Sequence, residues 1–244
     1  LGAWRGEDGA AVSVSGDALA VVSQDGQIGR ISSPLLALPA RENVFVAVEM
    51  AADAGDDATV YWASSAISGL HAKRFRIKAD GKFHTYNVDM TGAKEWTGNI
   101  VLLKVVPVVK KSASARVRAV TVSDEPQGAA DVSVVQARLS DAINRAGRPL
   151  PFLIQIANLG GQDAANLTLA VKRMPRGLRV VSAPGWEKVE EIPASATATH
   201  TVLLSAEQAL EGDVVFTLSG DGATGQEAVA RVAVLPDLKR PKAA

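Results

Sequence analysis

Apolar and polar residues alternate with a period of two along most of this chain, in short runs broken by Gly, Pro, Asn and Asp. Such alternation marks half-buried β-strands, whose successive side chains point to opposite faces. Residues 12–15 and 18–22, on either side of Gly16-Asp17, read as a hairpin. Short strands follow near 29–31 and 35–38. Residues 43–50 then set Val44, Val46, Val48 and Met50 on one face and Phe45 and Ala47 on the other. Both faces are apolar, so this strand is expected inside a sheet rather than at its rim. Residues 59–64 form the next strand. Over 72–78, Lys73, Phe75 and Ile77 alternate with Arg74, Arg76 and Lys78, which predicts one buried face and one basic stripe. Asp80-Gly81 turns the chain into a strand over 83–88, a corner at Trp96 leads into 100–106, and 115–122 closes the set.

About ten strands with no sustained helical period and no short repeat predict a jelly-roll β-sandwich over residues 1–123. Residues 124–130 combine acids, Pro and Gly without periodicity and read as a linker. Beyond them, strands are expected at 131–139, 150–158, 166–173, 177–181, 186–192, 198–204, 213–219 and 227–235. That spacing predicts an immunoglobulin-like β-sandwich over 131–237. Only 207–210 offers a helical turn. Residues 238–244, rich in Lys, Arg and Pro, read as a tail. The expected fold class is therefore all-β: an N-terminal jelly-roll β-sandwich plus a C-terminal immunoglobulin-like β-sandwich.

Composition narrows the function classes. With 244 residues, two domains are favoured over one. There is no cysteine, hence no disulfide framework and no thiolate metal site. No apolar run approaches the roughly 20 residues that cross a bilayer, so membrane insertion is not expected. Opening on Leu1, the chain reads as a piece cut from a longer protein. Net charge is zero but unevenly spread. Residues 1–69 carry nine carboxylates against three arginines, a net of −6, and 71–118 carry eleven Lys or Arg against three acids, a net of +8. The basic band lacks the interleaved aromatics of a single-strand platform and any recognition helix, so no nucleic-acid partner is expected.

Three short motifs occur in order: Tyr61-Trp62, Asp80-Gly81-Lys82-x-His84-x-Tyr86, and Trp96-x-Gly98-x-Ile100. In that order they resemble the jelly-roll, galactose-binding-like carbohydrate-binding modules appended to bacterial polysaccharide-degrading enzymes. The resemblance implies a structural role for Trp62 and a glycan as ligand. Many such modules hold a calcium ion with a carboxylate in the final strand; Arg116 and Arg118 stand in that strand here, and no metal is expected. In the second half, Asn158-Leu-Gly-Gly161, Ala165–Leu169 and Met174-Pro-Arg-Gly-Leu178 resemble bacterial immunoglobulin-like repeats of the CARDB and NEW3 type, which implies a spacer.

Chemistry-bearing residues are few. His84 and Tyr86 share a strand face and could exchange a proton with a sugar, but Val88 continues that face, which assigns them to the core. Asp53, Asp56 and Asp57 read as a solvated loop. Adjacent Glu190 and Glu191 point apart, unlike a glycosidase pair. Phosphate-loop, zinc-protease and nucleophile-elbow motifs are lacking. The sequence thus predicts no catalytic residues and no cofactor. It predicts a non-catalytic accessory module of a larger secreted, periplasmic or surface polysaccharide-acting protein, with neighbouring domains as further partners. The competing class is a structural or adhesive domain pair that packs against other proteins, and a minor third is catalytic participation in polysaccharide cleavage. Candidate ligand contacts are Arg74, Arg76 and Lys78 for an anionic glycan, with Tyr61 and Trp96 as stacking surfaces. Limited proteolysis is expected to cut first between Ser123 and Asp131 and leave two folded fragments; a chain that resists there and unfolds as one unit would refute the division.

Overall fold

The computed structural model describes residues 3–7, 9–24 and 26–237; the expected tail 238–244 lies outside them. The chain forms two compact units that divide between Gly128 and Ala129, and among the described residues the regular structure of each is β-strand, save one 3-10 turn in the first.

The first unit runs β1 (Arg5–Glu7), β2 (Ala10–Ser15), β3 (Ala18–Ser23), β4 (Arg30–Ser32), β5 (Leu38–Pro39), a 3-10 turn at Ala40–Glu42, β6 (Phe45–Ala52), β7 (Asp57–Ser64), β8 (His71–Arg76), β9 (His84–Asp89), β10 (Asn99–Val106) and β11 (Ser114–Ser123). One sheet has the order β1-β4-β10-β7-β8, with β5 also on β10; the other has the order β2-β3-β11-β6-β9. Every pairing is antiparallel. The inward faces bury Ile31, Val60, Trp62, Leu103 and Val105 from the first sheet and Leu19, Val46, Val48, Met50, Tyr86 and Val117 from the second. As its two apolar faces require, β6 is an interior strand.

Expectation and structure part in two places here. The basic strand stops at Arg76, because Ile77 N–H turns to the Asp56 carbonyl, so Lys78 lies beyond β8. The stretch 124–130 is not slack either. Gln127 N–H donates to Asn87 Oδ1 at 2.7 Å while Asn87 Nδ2 donates to the Gln127 carbonyl at 3.0 Å, which ties the segment to β9.

The second unit comprises β12 (Val132–Leu139), β13 (Pro149–Asn158), β14 (Thr168–Arg173), β15 (Leu178–Val180), β16 (Thr197–Ala206), β17 (Leu210–Gly220) and β18 (Ala223–Val234). Its sheets, β12-β13-β16-β15 and β14-β17-β18, follow the first-second-fifth-fourth and third-sixth-seventh order of constant-type immunoglobulin sandwiches. Phe152 and Phe216 meet across the core at 5.4 Å, and Trp186 packs edge-on against Phe216 at 5.9 Å. The strand expected at 186–192 is absent. Pro184-Gly185 and Pro193 bracket it, and only single bridges at Lys188 and Ile192 remain. Residues 207–208 bend instead of forming a helical turn, and Leu210 already begins β17.

One buried side chain organises the top of this unit. Asn158 Oδ1 accepts from the N–H groups of Asp131 and Gly160, both at 3.1 Å, and Nδ2 donates to the carbonyls of Gln162, Ile192 and Pro193. Gly160 is obligatory beside it, since a Cβ there would stand 1.9 Å from the Ala129 carbonyl oxygen. Asn158→Ala would remove the acceptor of both N–H groups, that of Gly160 being buried, and the donor to three carbonyls. It is expected to destabilise the second unit by about 3 kcal/mol in denaturant unfolding, with the first unit's transition unmoved; a loss below about 0.5 kcal/mol, the scale of surface substitutions, would refute this role.

Candidate functional site

The outward face of the β1-β4-β10-β7-β8 sheet is assembled by register. On β7 the inward side chains are Ala58, Val60 and Trp62, so Asp57, Thr59, Tyr61 and Ala63 point outward. Trp62 cannot exchange with its neighbour. It is 1% exposed, its Nε1 donates to the Glu95 carbonyl at 3.1 Å, and its ring meets Trp96 edge-on at 5.6 Å. Across the sheet, Arg5, Ser32, Lys104, Tyr61 and Ala72 occupy successive paired positions. The neighbouring row contains Glu7 and Arg30 and, beyond β10, Thr59 and Arg74; Asp57 pairs with Arg76 at the next outward position.

Among the described residues these rows place five cations, Arg5, Arg30, Arg74, Arg76 and Lys104, with two carboxylates, Glu7 and Asp57. The Arg30 guanidinium lies over the Tyr61 ring, 4.9 Å from its centroid, within cation–π range. Lys104 ion-pairs with Glu7. The hydrogen bond from Lys104, which outweighs burial, holds the Glu7 carboxyl below its ordinary pKa, helped by Ser32 and the Arg30 charge. Arg74 and Arg76 share one partner: their Nε atoms stand 3.6 and 3.5 Å from the Asp57 carboxylate. Both separations exceed a good hydrogen bond. Their side chains are 58% and 76% exposed.

Of the five sequence-derived contacts, the structure brings Arg74, Arg76 and Tyr61 onto this face and excludes two. Trp96 is 7% exposed and donates Nε1 to the Asn43 carbonyl at 2.8 Å; an indole plugged into the core offers no stacking face. Lys78, off the strand, uses its backbone N–H to bond the Tyr86 hydroxyl at 3.0 Å. The basic band itself is divided. Arg116 and Arg118 belong to the opposite sheet, where both lie over Phe83 and Arg118 pairs with Glu49 and Asp17. Acids from the first 57 residues thus interleave with cations from the later strands. Arg30, Glu7 and Lys104 were not singled out as contacts from the sequence, although a lone Lys in the apolar run of β10 signals an outward position.

The remaining candidates are structural. Tyr86 is buried, and His84 Nε2 lies 3.1 Å from both oxygens of Asp80. Asp53 accepts from the Ser114 hydroxyl while Asp57 faces the arginines, so the loop acids have separate partners. Among the described residues no three His, Asp or Glu side chains gather as metal ligands.

No protein-family model matches the chain, and no curated protein matches it. Among solved structures it is similar to a point mutant of a carbohydrate binding module of family 29, at 12% identity and a TM-score of 0.40, covering 50% of this chain and 82% of that one. It is also similar to the glycoside hydrolase domain of Endo-D from Streptococcus pneumoniae, at 13% identity and a TM-score of 0.33, covering 95% of this chain and 36% of that one. At those scores neither likeness bears on what this chain binds.

Acid should weaken the first unit through Asp80 and Glu7. Burial would raise the Asp80 pKa, but the Lys82 backbone N–H, the His84 hydrogen bond and the charges of both residues together hold it below the ordinary value. Both carboxyls are depressed in the folded state, so their contribution is complete above the unfolded values, 3.8 for Asp and 4.5 for Glu, and is lost as pH falls through the lower folded ones. Asp80→Asn with Glu7→Gln is expected to flatten the acid limb of the melting temperature below about pH 4.5; an unchanged slope there would refute the assignment.

Proposed function

We propose that the first unit is a non-catalytic carbohydrate-binding module that holds an acidic glycan on the outward face of the β1-β4-β10-β7-β8 sheet. The second unit is a CARDB- or NEW3-type spacer, and the pair, with domains at 1–123 and 131–237, belongs to a larger polysaccharide-acting protein of an extracytoplasmic compartment. The observation that carries this reading is the sharing of Asp57 by two exposed guanidinium groups, beside a third guanidinium supported on Tyr61. Arg74 and Arg76, held only by long contacts to one carboxylate, can turn their guanidinium groups to a carboxylate or sulfate, which arginine grips bidentately. Because Arg30 covers the Tyr61 ring, a neutral sugar would have to displace it in order to stack, whereas an acidic one gains a cation. The His84–Asp80 pair and the buried Tyr86 hydroxyl are occupied within the fold, which supports a binding rather than a catalytic role.

Calorimetry against matched acidic and neutral polysaccharides tests the reading. Acidic polymers are expected to bind more tightly, with affinity falling as salt shortens the reach of the charges. Arg74→Ala and Arg76→Ala should each weaken binding by up to about fivefold, the scale of an exposed ion pair. Tighter binding of the neutral polymer, or indifference to both salt and these substitutions, would overturn it in favour of a structural or adhesive pair.

A further inference from the structure

A shallow depression of about 590 Å³ lies at the β1 end of the same sheet face, lined among others by Trp4, Arg5, Glu7, Ser32, Leu35 and Leu102. Its floor is continuous with the candidate site. Leu102 and Lys104 are two apart on β10 and project together, and Glu7 pairs with Lys104 between the depression and Tyr61. Two apolar groups there serve no core purpose. Trp4 is only half-buried, and Leu35 is 86% exposed.

On this geometry, and resting on the acidic-glycan reading above, we infer that Trp4 forms a second, aromatic subsite and that the ligand is an internal stretch of an acidic polysaccharide lying across the strands. Arg5 and Tyr61 occupy the same row three strand spacings apart, a span of about 14 Å. A single sugar cannot cover that distance, but an extended chain of several can. Its apolar ring faces rest on Trp4, Leu35 and Leu102, where an aromatic face meets C–H groups. Its acidic groups meet Arg74 and Arg76 at the other end. The ion pair of Glu7 with Lys104 sits midway and leaves the centre of the track near neutral, so the two ends act as separate subsites.

The test is a length series on the whole chain, by calorimetry with digalacturonate and hexagalacturonate and the corresponding short and long oligomers of hyaluronan. The long oligomer of at least one pair is expected to bind the wild type more tightly than its short counterpart. Trp4→Ala should erase most of that gain, roughly five- to tenfold, while leaving the short oligomer's affinity unchanged, and Trp4→Phe should restore most of it. Equal affinities of Trp4→Ala and wild type for the long oligomer would overturn the second subsite, as would equal affinities of the wild type for long and short. In either case weakening of all binding by Arg74→Ala and Arg76→Ala would leave the acidic-glycan reading standing. Failure of the wild type to bind any of the four oligomers would overturn both.

Discussion

The indole of Trp62 fixes what the first unit can present to solvent. A strand has a side-chain period of two, so slipping β7 by one residue would expose Trp62 and bury Tyr61 together with Asp57. That slip would break the bond to the Glu95 carbonyl, remove the edge-on contact with Trp96, and leave an indole N–H without a partner. Truncating a buried tryptophan costs about 3–5 kcal/mol, a large share of the 5–15 kcal/mol that holds a typical domain together. The outward position of Tyr61 follows from its neighbour's anchoring. In turn Asp57, four residues earlier on the same face, is set opposite Arg76 and beside Arg74.

The second unit depends on a constraint of another kind. Its sandwich core is apolar, but its top closes where three chain segments, near Asp131, Gly160 and Ile192, meet through loop contacts and one isolated bridge rather than a continuous ladder. Backbone groups buried there need partners. Asn158 supplies an acceptor in one direction and a donor in the other, which no apolar residue of similar size can do. The Asn-x-Gly signature is therefore polar bookkeeping for a loop crossing, and Gly160 is the companion that leaves room for it.

How much was legible follows from these local rules. Alternation located the strands of both sandwiches to within a few residues, because burial on one face imposes it directly, but it did not mark the three-residue edge strand β1. It also separated Tyr61 from Trp62. It failed at Lys78, since the basic stripe continues in sequence after the backbone has already left the sheet, and at 186–192, where prolines and a glycine override an apolar pattern. Trp96 was ambiguous because a corner tryptophan looks the same in sequence whether its indole faces solvent or a neighbouring ring. The charge asymmetry says least about the surface. A run of cations in sequence is not a patch when strands cross between sheets: Arg118 meets Asp17 and Glu49, and Lys104 meets Glu7, each acid arriving from the chain's first 49 residues. Pairing between strands distant in sequence is a property of topology, which composition does not carry.

That interleaving makes the remaining imbalance informative. On the opposite sheet Arg118 has two carboxylates, and the hydrogen bond to Glu49, helped by both charges and opposed by desolvation, raises its pKa. The fold therefore supplies acids generously where a cation needs only to be neutralised. On the β7–β8 edge the ratio is reversed, with one Asp57 between two arginines at separations beyond hydrogen bonding. Like charges on adjacent outward positions repel and weaken a sheet, and a third arginine resting on Tyr61 adds to that field. Exposed pairs of this length contribute between nothing and about 1 kcal/mol, so Asp57 offsets little of the repulsion between Arg74 and Arg76. An anion arriving from outside would relieve that repulsion, which is the physical basis of the acidic ligand proposed for this face.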